Sequence, residues 1–257
     1  MQVFTKGEGE TEITIVGSVH GDEPAGKNAI KNFIEKEIEY RKPVKFIIAN
    51  EEALEKDVRF LDTDLNRSFP GNTESESHEE RLASELMEEI KDTKVLDIHT
   101  TRSYPEPFAT FTHLNDATVS MMKASGVNYG VHFPEEAGTL HEQTTGIVVE
   151  TGHQGTDQAR KNAEKVIESF LSSMNAIDIE RPENDNPLEI FRYFETVEGD
   201  WEFLAENFEL VEKGTVFAEK EDDVLKASED FYPVLMSTDG YDGILGHKAQ
   251  KQKQFNS

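Results

Sequence analysis

His20 and Glu23 stand with two residues between them in ITIVGSVHGDE (13–23), directly after an apolar run rich in β-branched residues. An imidazole and a carboxylate at that spacing, delivered from the end of a buried strand, offer two ligands to one divalent metal ion. Gly21 permits a tight turn between them, and Pro24 suits the first turn of a helix, where its missing N–H costs nothing. A second imidazole, His99, closes another apolar run, KVLDIHT (94–100). Two His and one Glu are a recognised zinc set that keeps a coordination position open for water. The HxxE spacing is common by chance, so the weight rests on all three ligands falling at strand ends of one sheet. The chain has no cysteine, which excludes a thiolate metal site, a Cys nucleophile and disulfides.

The flanking pattern supplies that sheet. A weak edge strand over 2–5 precedes the strand ending before His20. Apolar Ala25, Ala29, Ile30, Phe33, Ile34 and Ile38 then recur at helical spacing, predicting a helix to about residue 40. VKFIIA (44–49) makes a second buried strand and completes a βαβ unit. Residues 51–73 read as one long loop, a length that in a compact domain points to function. A helix from about Ser77 to Ile90 leads to the 94–100 strand. Shorter strands are predicted at 107–112 and 129–133 around a helix over 115–124. GIVVE (146–150) is a further buried strand, and an amphipathic helix over 159–174 closes a domain spanning 1–178. After the turn cluster RPENDNP (181–187), short strand-like pieces at 188–197, 214–218, 232–236 and 243–247 suggest a small β-rich domain over 179–257.

Acidic residues number 52 against 26 basic ones, a formal charge of −26, which repels nucleic-acid phosphates and anionic lipid. The excess is dispersed, as on proteins adapted to high salt; stability is expected to rise from low to molar salt, as a salt series of melting temperatures would show. No apolar run reaches the roughly 20 residues needed to span a bilayer, and the N-terminus lacks a signal-peptide pattern, so a cytoplasmic protein is expected. Self-association is left open.

Four motifs, VHGDEPAG (19–26), DLNRSFPG (64–71), DIHTT (97–101) and VVETG (148–152), occur in this order. Together they resemble the aspartoacylase and succinylglutamate desuccinylase family of the zinc carboxypeptidase superfamily. The resemblance implies an α/β fold with a carboxypeptidase-like mixed sheet flanked by helices, and one zinc ion held by His20, Glu23 and His99. It further implies that Glu150 is the general base and that Arg59 polarises the scissile carbonyl. Asn66 and Arg67 would bind a substrate carboxylate, with Asp64 and Asp97 orienting ligands or arginines. Arg102 is a second carboxylate binder by analogy with the desuccinylase branch, and Tyr241, in PVLMSTDGYDG (233–243), corresponds to a substrate-contacting tyrosine. The aspartoacylase branch also carries an arginine about ten residues before the catalytic Glu, which 137–145 lacks. The remaining histidines, His78, His113, His132, His141, His153 and His247, have no ligand spacing.

These residues point to a zinc-dependent deacylase cleaving the amide bond of small carboxylated N-acyl amines. A metallocarboxypeptidase acting on peptides shares the ligand set, and a zinc-binding module without turnover is the non-enzymatic alternative. A serine hydrolase is excluded by the absence of a GxSxG elbow.

Overall fold

The computed structural model describes residues 1–134, 137–180, 184, 186–240 and 243–255. Its elements run β1 (Gln2–Lys6), β2 (Ile13–Gly17), α1 (Ala25–Glu35), β3 (Val44–Ile48), α2 (Glu51–Lys56), a 3-10 turn (Leu65–Arg67), α3 (His78–Glu89), β4 (Lys94–Thr101), β5 (Phe108–Phe111), α4 (Asp116–Ser125), β6 (Tyr129–His132), α5 (Leu140–Gln143), β7 (Thr145–His153) and α6 (Asp157–Ser173). The C-terminal part adds β8 (Leu188–Glu198), β9 (Glu202–Phe203), β10 (Val216–Lys220), β11 (Asp223–Lys226), β12 (Tyr232–Val234) and β13 (Ile244–Phe255).

Ten strands form one mixed sheet in the order β1-β3-β2-β4-β7-β5-β6-β8-β13-β12, and β11-β10-β9 form a separate antiparallel sheet. β3, β2, β4 and β7 run parallel, so their C-terminal ends open on one side, where sheets of this class keep their sites. β5 reverses against β7, β6 pairs parallel with β5, and β8 pairs parallel with β6. A proposed division near residue 179 is crossed by this sheet, since β8 pairs with β6. The turn cluster at 181–187 falls largely outside the described residues.

Alternation along the central strands sorts the core. Ile15, Leu96, Ile98, Ile147 and Val149 pack on one face with the apolar stripes of α1, α4 and α6. Val16, Ile47 and Val95 face α3, with Leu82, Ala83 and Leu86. This second face also carries Asp97 and His99, two and four residues beyond Val95.

Several elements differ from the sequence reading. α1 stops at Glu35, because Lys36 is extended at φ −66° and ψ 139°. Ile38 still packs on the core, without helical geometry. The expected loop over 51–73 contains α2, whose Asn50 side chain accepts from Ala53 N at 3.2 Å. β4 and β7 run past His99 and Glu150, with a ladder irregularity between His99 and Thr101.

Glu79, on the buried stripe of α3, fastens the loop behind α2. Its carboxylate accepts from Leu61 N at 2.7 Å, Asp62 N at 3.0 Å, Thr63 N at 3.2 Å and Asn50 Nδ2 at 3.2 Å. Burial pushes this carboxyl up, but the four hydrogen bonds outweigh burial and hold it below its ordinary range. Glu79→Ala strands buried donors, so it is expected to lower unfolding free energy by about 3 kcal/mol. A depressed carboxyl contributes fully above its unfolded pKa and loses that contribution as pH falls through the folded one. Denaturant melts should therefore show the native advantage over Glu79→Ala intact at neutral pH and shrinking as pH falls below the ordinary glutamate pKa of about 4.3.

Candidate metal centre and active site

β2 ends at Gly17, and Ser18, at φ 57°, starts the corner that carries His20 and Glu23. Gly21 is required there. A Cβ on it would lie 2.2 Å from the Ala53 carbonyl carbon and 2.5 Å from Leu54 N, so a side chain would push the corner off α2. Gly21 N instead donates to Arg59 O at 3.0 Å, tying the corner to the loop that bears Arg59.

His20, Glu23 and His99 are all buried, and their ligand atoms lie within 4.8 Å of one another. His20 Nδ1 is 3.0 Å from Glu23 Oε1, and His99 Nδ1 is 3.5 Å from Glu23 Oε2. The outward nitrogens are held by carboxylates: His20 Nε2 is 3.0 Å from Asp64 Oδ1, and His99 Nε2 is 2.9 Å from Asp97 Oδ2. Thr100 N donates to Glu23 Oε2 at 2.8 Å. Arg59 donates from Nη1 to Glu23 Oε1 at 3.3 Å and from Nη2 to Asp64 Oδ2 at 3.1 Å.

This arrangement fits a divalent cation. Each imidazole turns one nitrogen to the shared carboxylate and has the other fixed by Asp64 or Asp97, the pattern that orients metal-ligating histidines. Charge points the same way, since Glu23, Asp64, Asp97 and Glu150 gather around the two imidazoles. Burial disfavours a charged His99, yet Asp97, Glu23 and Glu150 outweigh it and push the ring up to about 10. Burial opposes ionisation of Glu23 too, but His20, His99 and Arg59 draw its carboxyl down to about 2. A set of buried nitrogen and oxygen donors in a field this negative suits zinc.

Glu150 is the rung partner of His99 in the β4–β7 ladder. Its Oε2 is enclosed and has no hydrogen-bond partner among the described residues. Burial pushes its carboxyl up to about 7; His99, His20 and Arg59 oppose the rise, and Glu23 adds to it. A carboxyl poised there can both accept and return a proton near neutral pH.

The catalytic-domain description of the succinylglutamate desuccinylase/aspartoacylase family matches residues 10–176, which carry all of these groups. The chain belongs to this family. An N-acyl-aromatic-L-amino acid amidohydrolase (carboxylate-forming) of Xenopus laevis is 31% identical over 107 residues, covering 36% of this chain and 35% of that protein. A probable aspartoacylase of Prochlorococcus marinus subsp. pastoris is 35% identical over 102 residues, covering 35% of this chain and 33% of that protein. The matched stretch thus spans about a third of the length of each curated relative. The fold is shared with a succinylglutamate desuccinylase/aspartoacylase from Rhodobacter sphaeroides, at TM-score 0.75 and 20% identity over 99% of this chain and 88% of that one. Murine aminoacylase 3 superposes at TM-score 0.74 and 17% identity, over 98% of this chain and 99% of that one.

The other residues that the family pattern marks take up distinct positions. Asn66 is buried, and its Oδ1 accepts from Leu140 N at 3.1 Å, so only its amide nitrogen is left to meet a ligand. Arg67 donates to Asn66 O at 2.7 Å and lines a cavity of about 530 Å³ with Phe133, Tyr193 and His247. Arg102 donates to Gln154 Oε1 at 3.2 Å and to Asp239 O at 3.1 Å, and it shares a cavity of about 190 Å³ with Arg59, Thr100 and Asp22. Tyr241 lies outside the described residues. Sequence reasoning missed Glu79, although a glutamate on the apolar stripe three residues before Leu82 was a signal. It also missed the Thr100 amide, which no side-chain pattern reveals. Among the described residues, no helix is long and apolar enough to cross a membrane.

Proposed function

We propose that this protein is a zinc-dependent deacylase that hydrolyses the amide bond of N-acyl amino acids, with one zinc ion per chain held by His20, Glu23 and His99. The observation that carries the reading is the buried triad with the unpartnered Glu150 carboxylate oxygen beside it. Family membership and the N-acyl amino acid chemistry in the names of the relatives support it. The metal, when bound, supplies Lewis acidity that polarises the carbonyl and acidifies water.

The chain's own residues do the rest. Glu150 Oε2 takes a proton from the attacking water and returns it to the leaving nitrogen, so that the amine departs uncharged. Arg59 directs guanidinium N–H groups at the oxygen that gains negative charge as the carbonyl becomes tetrahedral. Asp64 and Asp97 keep the two imidazoles from turning, and Asp64 also holds Arg59. The Asn66 amide and Arg67 bind a substrate carboxylate, and Arg102, on a separate cavity, is the second carboxylate binder. Tyr241 is assigned to the substrate on sequence grounds alone. A cytoplasmic setting and adaptation to high salt form part of the same proposal.

The test is to load the protein with zinc and measure amine release from N-acetyl and N-succinyl amino acids beside a panel of peptides. Release from the acyl amino acids is expected. Cleavage of peptides alone assigns a carboxypeptidase instead, and no release from either leaves a metal-binding module.

A further inference from the structure

The cavity of about 190 Å³ carries a carboxylate to which the proposed reaction gives no task. Asp22, one residue before the ligand Glu23, lines it together with Arg59, Thr100, Arg102 and Ser237. The backbone there is fixed from two sides: Asp22 O accepts from Gln154 Nε2 at 2.8 Å, and Gly21 N donates to Arg59 O at 3.0 Å. The Asp22 side chain, in contrast, is unmatched. Among the described residues its Oδ1 is enclosed without a hydrogen bond, and neither oxygen pairs with a cation, although two guanidinium groups line the same cavity.

Those two groups are engaged elsewhere. Arg59 donates to Glu23 and Asp64, and Arg102 to Gln154 Oε1 and Asp239 O. A partly buried carboxylate left unmatched costs free energy that a donor on a ligand recovers. The volume suits a fragment of a few heavy atoms rather than a whole substrate.

Which fragment enters follows from the deacylase reading, on which this step rests. In that reading Asn66 and Arg67 hold the carboxylate of the amino acid half, and Arg67 lines the 530 Å³ cavity, which shares no described lining residue with this one. Arg59, the group assigned to the carbonyl oxygen, lines the 190 Å³ cavity. The half on the other side of that carbonyl, the acyl chain, is the one left for Asp22.

We propose that Asp22 is a specificity-determining residue: it binds a protonated amino group at the end of a short acyl chain and so favours aminoacyl over plain acyl substrates. Asp22 and Arg102 then answer opposite charges on the acyl half.

The experiment compares kcat/KM for N-β-alanylalanine and N-butyrylalanine, which differ only by an ammonium in place of a terminal methyl group, in the zinc-loaded native protein, Asp22→Asn and Asp22→Glu. The native protein is expected to prefer the β-alanyl compound. In Asp22→Asn the ratio of the two should fall about tenfold, through KM, with Asp22→Glu between them. Both compounds meet the same metal and the same Glu150, so a change in zinc content or folding cancels in the ratio. An unchanged ratio, or no native preference for the β-alanyl compound, overturns the proposal. Calorimetric titration of the zinc-loaded protein with β-alanine and with butyrate gives a second readout that needs no turnover. Tighter β-alanine binding that is lost in Asp22→Asn supports the assignment, and equal binding of the two by the native protein rejects it. Failure of both amides to react, with the β-alanine preference intact, would sink the deacylase reading and leave the Asp22 subsite standing.

Discussion

Glu150→Gln is expected to reduce kcat by about 10²- to 10⁴-fold, the range lost with a positioned proton-transfer group, while the zinc content stays near one ion per chain. The substitution keeps the shape of the side chain and removes its basicity. Among the described residues Glu150 Oε2 is enclosed and has no hydrogen-bond partner, so it is free to take a proton. The other carboxylates are engaged: Glu23 by His20, Arg59 and the Thr100 amide, Asp64 by His20 and Arg59, Asp97 by His99. Elemental analysis beside steady-state kinetics reads both halves of the expectation. A variant with full zinc and kcat within tenfold of native would remove Glu150 from the proton path.

Glu23→Ala is expected to abolish both metal retention and turnover. Glu23 is the hub of the site, receiving the Nδ1 atoms of both imidazoles, an Arg59 N–H and the Thr100 amide. Its loss removes one of three ligands and leaves two buried rings and a guanidinium with less negative charge between them. Asp64→Asn and Asp97→Asn provide the scale, because they disturb the partners of the outward nitrogens and remove no ligand, and should weaken metal binding by about 10- to 100-fold. Competition against a chromophoric chelator should rank the affinities native, then the two Asn variants, then Glu23→Ala. Equal retention by Glu23→Ala and the native protein would exclude Glu23 from the ligand set.

What could be read from the sequence depended on how local the physics was. The His20 corner, the βαβ opening and the caps of α3 and α4 are set by runs of adjacent residues, and they stand within a few positions of expectation. α2 escaped because EEALEK is too short for a helical period to show, although Asn50 and the two leading glutamates are a proper N-terminal signature. The second half of β13 escaped because KQKQ carries no apolar alternation; its partner β8 makes it a strand. That β8, β12 and β13 extend the main sheet is a matter of distant pairing, which short patterns do not encode.

The rung that joins His99 to Glu150 has a consequence for how activity is acquired. A slip of β7 by one position would put Val149 or Thr151 opposite His99 and turn the carboxylate toward α6, on the far side of the sheet. Such a molecule could keep most of its secondary structure and still be inert. Correct alignment of two neighbouring strands and the birth of the proton relay are therefore a single event, and recovery of turnover on refolding would report strand registry more sharply than any measure of helix content.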